Sequence, residues 1–176
     1  MTDEALMASL RRVADKDAIR DVLMRFCRGV DRLDEELLRS CYHVDSYDDH
    51  GPFKGNGRDF AAHIVKSISE RAHHTTHSVA NVLIELDSED QDGARAESYV
   101  LAYLRRIDDD DKEWLDFFSG RYVDRFERRE GVWRIASRIV VHDWSASAEL
   151  GAASFPLPMA TFTQGRRDRG DLVYRI

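Results

Sequence analysis

Glu113-Trp114-Leu115-Asp116-Phe117-Phe118-Ser119-Gly120-Arg121-Tyr122-Val123-Asp124-Arg125-Phe126 is the stretch whose reading decides the fold. On an extended chain Trp114, Phe118, Tyr122 and Phe126 fall on one face, while Leu115, Phe117 and Val123 share the other with Ser119 and Arg121. Both faces carry apolar side chains. One must meet the rest of the protein, and the other stays open on a single copy. That open face predicts a homo-oligomer, dimer or trimer, joined through the sheet.

Working outward, His77 to Leu86, Ala94 to Ile107 and Val132 to Trp144 are also rich in β-branched and aromatic residues. The breaks at Asp87 to Gly93, Asp108 to Asp111 and Arg128 to Gly131 are too short for anything but hairpins, so the four strands form an antiparallel meander. Before them the periodicity is helical. Residues 4–33 carry Ile19, Val22, Leu23, Phe26, Cys27 and Val30 as one apolar stripe. Asp34, followed by Glu35 and Glu36, suits the N-cap of a second helix over Glu35 to Tyr42. A short strand over Val44 to Asp49, a turn at Gly51-Pro52-Phe53-Lys54-Gly55 and a third helix over Arg58 to Ser69 complete the first half. The class is α+β: N-terminal helices packed on a curved antiparallel sheet.

The 176 residues fit one domain over residues 1–144 with a C-terminal tail over 145–176. In that tail Ser145 to Phe155 are small, Pro156-Leu157-Pro158 is stiff, and Gly165 to Asp171 is charged and turn-prone, a segment suited to close a pocket or wrap a neighbouring subunit. No apolar run approaches the roughly 18 residues of a bilayer span, which excludes a membrane protein of helical type. The acidic start Met1-Thr2-Asp3-Glu4 lacks the basic residues of a secretory signal, so the cytoplasm is the expected location. A net charge of −7, with basic residues interleaved among acids, argues against a nucleic-acid partner. Cys27 and Cys41 are too few for a zinc site and read as small, reduced core residues. No local Ser or Cys nucleophile signature and no glycine-rich phosphate loop is present, which sets nucleotide chemistry aside.

Chemistry is offered by Asp31 and His77. At about 100° per residue Asp31 sits some 40° from Cys27, at the edge of the apolar stripe. A carboxylate at a helix C-terminus opposes the dipole, a poor position for stability alone. His77 opens the first long strand, and a carboxylate beside an imidazole holds one tautomer and raises its basicity, as general-base work near neutral pH needs. Around them Tyr47 and Tyr103 are candidate phenolic donors, Asp49 and His50 candidate hydrogen-bonding groups, and Arg138 and His142 candidate positive charges. Asp48, Asp49 and His50 alternate sides on an extended chain and cannot converge on one ion, so no metal is expected.

Arg25-Phe26-Cys27-Arg28-Gly29-Val30-Asp31, Ser46-Tyr47-Asp48-Asp49-His50-Gly51, His77-Ser78-Val79-Ala80-Asn81, and Gly120 to Arg129 followed by Gly131-Val132-Trp133 together resemble SnoaL-like proteins of the nuclear-transport-factor-2-like superfamily. The resemblance spans about Asp15 to Trp144 and is greatest to the branch with scytalone dehydratase, hexachlorocyclohexane dehydrochlorinase and the bile-acid 7α-dehydratase. It implies a cone with an internal cavity and elimination chemistry by an Asp/His pair without metal or cofactor. Its helix-end aspartate corresponds to Asp31 and its strand histidine to His77. The chain departs from that branch at Phe26, where relatives carry tyrosine or lysine. It also lacks a second strand histidine in Ala94 to Ile107, and the dehydrochlorinase arginine aligns nearest Ile139, with Arg138 one residue out of phase and expected on the opposite face.

The reading that follows is a cofactor-independent lyase or isomerase, foremost a dehydratase, acting on a cyclic hydrophobic small molecule. Asp31 and His77 would be catalytic, with Phe26, Tyr47, Asp49, His50, Asn81, Tyr103, Arg138 and His142 lining the substrate. The alternative is a non-catalytic binding or assembly module, such as a ring-dioxygenase small subunit, since the same fold serves both.

Overall fold

A computed structural model of the chain describes residues 2–88, 90–151 and 158–175. Three helices, α1 (Asp3–Arg32), α2 (Glu35–Ser40) and α3 (Gly57–Arg71), pack on one curved sheet. Its strands are β1 (Tyr42–Asp49), β2 (Lys54–Asn56), β3 (His74–Leu86), β4 (Gly93–Ile107), β5 (Glu113–Arg129) and β6 (Val132–Glu149), in the order β2-β1-β6-β5-β4-β3. The meander of β3 to β6 is antiparallel throughout, as the hairpin breaks predict. β1 instead runs parallel to β6, so the sheet is mixed and not wholly antiparallel. α3 and the long meander supply the crossover that a parallel pair needs.

α1 is one continuous helix whose predicted stripe is the core: Ile19, Val22, Leu23, Phe26, Cys27 and Val30 are all buried. Burying each large apolar side chain contributes about 1.5–3 kcal/mol, which is what holds α1 in the hollow of the sheet. The helix ends because Leu33 turns left-handed at φ 53°, letting Asp34 N–H reach the Gly29 carbonyl at 2.8 Å. Asp34 then caps α2 by accepting from Leu37 N–H at 3.1 Å. α2 stops at Ser40, earlier than the sequence predicts, because Tyr42 belongs to β1. The Tyr42 ring fills the place a Cβ would take on Gly57, so the start of α3 closes on it only with glycine there.

Three β-bulges re-aim side chains. In β3, Val79 and Val82 face inward across two exposed residues, Ala80 and Asn81. In β6, Ala136 is the unpaired residue between Ile135 and Ser137, and Asp143 the one between His142 and Trp144. The insertion at Ala136 reverses the alternation, so Trp133, Ile135 and then Arg138 are buried, whereas Ile139 is 49% exposed.

The tail calls on Ser145 to Phe155 and Pro156-Leu157-Pro158 fall partly on residues 152–157, outside the described residues. Ser145 to Glu149 extend β6, and residues 158–175 return to the junction of α1 and α2. There Arg32 pairs with Asp171 at 3.4 Å, and Tyr174 donates to Asp34 at 2.8 Å. Among the described residues no helix is long and apolar enough to cross a membrane.

Candidate active site

The end of α1 meets the start of β3, and there the two predicted titratable groups touch. Asp31 Oδ1 lies 2.7 Å from His77 Nδ1, and Asp31 Oδ2 accepts the His77 backbone N–H at 2.9 Å. Both side chains are close to nine-tenths buried, at 13% and 11% exposure. An ionised carboxylate accepts only, so Nδ1 carries the proton and Nε2 presents its lone pair. No described residue is within hydrogen-bonding distance of that Nε2, which leaves it free to take a proton.

A second Asp/His pair occupies the far side of the interior. Asp48, wholly buried, accepts from the Tyr42 hydroxyl at 2.5 Å and faces His50 Nδ1 at 2.5 Å. The His50 ring stacks on Phe60 with centroids 4.0 Å apart. Burial outweighs the attraction of Asp48 and holds His50 below the usual imidazole range. Tyr42 is pushed well above the usual phenol range, first by burial and further by Asp48.

Beside the second pair, opposite Asp48 on the neighbouring strand, lies Arg138. Contrary to the expectation from the alignment, it points inward, because the bulge at Ala136 reverses the parity of β6. Its guanidinium is fully buried, bound by Asp124 through two hydrogen bonds of 2.8 and 2.7 Å, and lies 4.3 Å from the Phe26 ring centroid and 3.9 Å from that of Tyr122. Burial alone would lower Arg138; Asp124 opposes this and keeps it well above the usual range. The Nη1 atom of Arg138 has no hydrogen-bond partner among the described residues.

The other predicted residues part company. Phe26 is central, packed against Tyr42, His50, Phe60 and Tyr122. Tyr47 and Tyr103 are turned to the outer face of the sheet and are exposed. Asp49 also faces out, paired with Lys54 at 2.9 Å. Asn81 is exposed because the β3 bulge breaks its alternation with His77. His142 is exposed, its ring 5.4 Å from that of Phe118. Tyr47, Tyr103, Asp49 and Asn81 therefore do not share the space that His77 faces. Among the described residues no three His, Cys, Asp or Glu side chains are grouped to hold a metal ion.

Asp124 and Tyr42 were not legible as partners of Arg138 and Asp48. Asp124 was readable only as an inward position on the quoted strand, since nothing local announces its partner. Both cysteines are buried, and burial pushes their thiols up to about 12 for Cys27 and about 11 for Cys41, which makes them inert at neutral pH. Two clefts lie away from the dyad. One of about 870 Å³ runs between the N-terminal turns of α1 and the β3–β4 connection, and one of about 370 Å³ lies on the outer sheet face around Leu83, Val123 and Ile139.

Three helices and a six-stranded sheet thus surround a pair of polar dyads in an apolar interior. The chain belongs to the SnoaL-like domain family, whose model matches residues 11–139. Among solved structures it is similar to the hexachlorocyclohexane dehydrochlorinase LinA-type3 of Novosphingobium barchaimii LL02, at 24% identity over 85% of this chain and 99% of that one, with a TM-score of 0.69. A scytalone dehydratase-like protein of Novosphingobium aromaticivorans DSM 12444 superposes with a TM-score of 0.69 at 21% identity, covering 82% and 95%. A cystatin-like protein of unknown function from Nostoc punctiforme PCC 73102 gives 0.60 at 20% identity, covering 74% and 92%. At these identities the likeness is one of fold. No curated protein sequence matches the chain.

Proposed function

We propose that the protein is a cofactor-independent lyase or isomerase, foremost a dehydratase, acting on a cyclic hydrophobic small molecule. The observation that carries this reading is the Asp31–His77 geometry: a buried carboxylate held twice by one histidine whose Nε2 has no partner among the described residues. Nε2 takes a proton from a carbon next to a carbonyl. The C–H electron pair forms a carbon–carbon double bond while the carbonyl π pair moves onto oxygen. As that oxyanion collapses, the hydroxyl on the next carbon leaves, takes the proton from Nε2 and departs as water. Asp31 stabilises the imidazolium between the two transfers. Solved structures of the same fold include proteins named for a dehydrochlorination and a dehydration, both eliminations.

The experiment is a screen of cyclic β-hydroxy ketones for loss of water, followed by Asp31→Asn and His77→Gln. Each substitution is expected to cut turnover by about 10²-fold or more while the melting transition stays cooperative; a variant at either position with near-wild-type turnover sinks the mechanism.

A second reading has one observation in its favour. Phe26, Phe60, Tyr122 and the Arg138–Asp124 pair fill much of the interior, which suits a binding or assembly module. A stable complex with an iron-containing partner on pull-down, with no ligand bound inside, supports it over the enzyme.

The protein is further proposed to act as a homo-oligomer through the outer sheet face, where Leu83, Val123 and Ile139 are exposed together.

A further inference from the structure

The C-terminal tail brings a charge to the dyad that the sequence around Asp31 and His77 does not supply. Residues 158–175 are fastened to the junction of α1 and α2 by a set of polar and ring contacts. Arg169 donates to Asp34 Oδ1 at 3.1 Å and Tyr174 to Asp34 Oδ2 at 2.8 Å; Arg32 pairs with Asp171; Arg28 donates to the Val173 carbonyl at 3.2 Å and covers the Tyr174 ring. This anchoring sets Arg167 against the start of β3. Its Nη1 donates to the carbonyl of Ala72, the residue that ends α3 just before His73 and His74.

The remaining donors of Arg167 are unusual. Nε and Nη2 are shielded from solvent and have no acceptor among the described residues. On β3, Thr75 faces inward two residues before His77, and its buried Oγ1 also lacks a partner. Asp31 acts on the guanidinium as a nearby attractive charge, although burial and Arg32 leave Arg167 below its usual range. Arg167 likewise adds to the burial that holds His74 low. The group is thus held by Ala72 at the entry to β3, near enough to Asp31 to feel its charge. A guanidinium only donates, so what it lacks is an acceptor, and a fixed positive fork suits an oxyanion best.

We propose that Arg167 and Thr75 form an oxyanion-binding subsite beside His77, and that the substrate offers it a carbonyl or carboxylate oxygen. The inference deepens the elimination reading and rests on it for the substrate's role. Imidazole cannot remove a proton from carbon unless the negative charge passed to the carbonyl oxygen is stabilised, and Arg138 is already engaged by Asp124. Among the described residues Arg167 is the cation with two uncommitted donors at the His77 end. The tail thus completes the site, and the substrate class narrows to cyclic β-hydroxy ketones or acids.

Benzoate, a ring-bearing carboxylate, is the probe. Its affinity is read by the arginine Nε–H resonances and by the shift in melting temperature, without turnover. Wild type and His77→Gln are expected to bind it alike, with the Arg167 resonance moving. Arg167→Gln weakens binding about tenfold or more, and Thr75→Val weakens it several-fold. Equal affinity for wild type and Arg167→Gln, or saturation without movement of the Arg167 signal, overturns the subsite. The Val173 amide reports whether the tail stays docked in Arg167→Gln. Should that variant release the tail, Thr75→Val, which leaves every tail anchor intact, decides, and unchanged affinity there overturns the proposal. Because binding is read without catalysis, near-wild-type turnover by His77→Gln sinks the general base while leaving the subsite standing.

Discussion

Asp31 grips His77 with both carboxylate oxygens, one on the ring Nδ1 at 2.7 Å and one on the backbone N–H at 2.9 Å. The two contacts hold ring and strand to the same carboxylate, so the imidazole cannot turn without giving up its hydrogen bond to Oδ1. Asp31→Asn keeps the shape and alters the chemistry. The amide oxygen takes the backbone N–H, and its NH2 then faces Nδ1, which must become an acceptor; the proton moves to Nε2 and the base is lost. The expected result is a fall in kcat of about 10²–10⁴-fold. Ring ¹⁵N spectra check it directly: wild type is protonated on Nδ1 and Asp31→Asn on Nε2, and an unchanged tautomer contradicts the argument.

Asp31 was legible as a candidate by sitting against the helix dipole at the edge of an apolar stripe and His77 by lying near the start of a strand, which begins at His74 and not at His77 itself; matching the two rested on the family resemblance. The helices and the meander were legible from period and from hairpin breaks of a few residues. What could not be read was non-local. The parallel pairing of β1 with β6 joins residues such as Asp48 and Arg138, 90 positions apart in sequence, and no local pattern specifies it. Bulges are likewise silent in periodicity. Ala136 reverses the face of Arg138, and the Ala80–Asn81 bulge exposes Asn81, because one extra residue changes the parity of all that follow. Arg167 was hidden for a third reason. The tail showed only as a charge run, and Asp34 and Arg32, which fasten it, are more than a hundred residues away.

The Arg138–Asp124 pair predicts an asymmetric stability response. Asp124→Ala leaves a guanidinium in an apolar interior without its counter-charge, and the expected loss is about 3–5 kcal/mol. Replacing both partners, Arg138→Met with Asp124→Leu, removes the two desolvation costs together and recovers most of that loss. Urea denaturation of wild type, single and double variants measures both. A single variant no less stable than the double one contradicts the account of Arg138 as a paired buried charge.

Leu83, Val123 and Ile139 expose a contiguous apolar surface on the outer face, bordered by Arg125, Arg95 and Glu85. If that face joins copies, light scattering at micromolar concentration gives a mass that is a multiple of 20.3 kDa. Ile139→Glu, at the middle of the patch and away from the interior, is expected to give a monomer with an unchanged melting midpoint at low concentration. A monomeric wild type defeats the sheet-mediated oligomer.

His50 predicts how stability depends on pH. Burial holds its pKa below the 6.5 of a free imidazole, while Asp48 and Asp124 pull it up and Arg138 pushes it down. The folded protein thus keeps His50 neutral where the unfolded chain would take a proton. With the unfolded state binding more protons, stability rises with pH across that interval. The contribution is fully present above about 6.5 and is lost as pH falls through the folded value. His74 is also held low, so the comparison is made with His74→Gln in both backgrounds. In that background, denaturation at pH 7.5 and 5.5 is expected to show a clear loss of stability on acidification, and adding His50→Gln is expected to make the two values converge. Asp124, which burial pushes above the usual carboxylate range, is present in both backgrounds, so its titration cancels when the two are compared. A pH dependence that survives His50→Gln undiminished places the responsible group elsewhere and removes His50 as the buried neutral base of the second dyad.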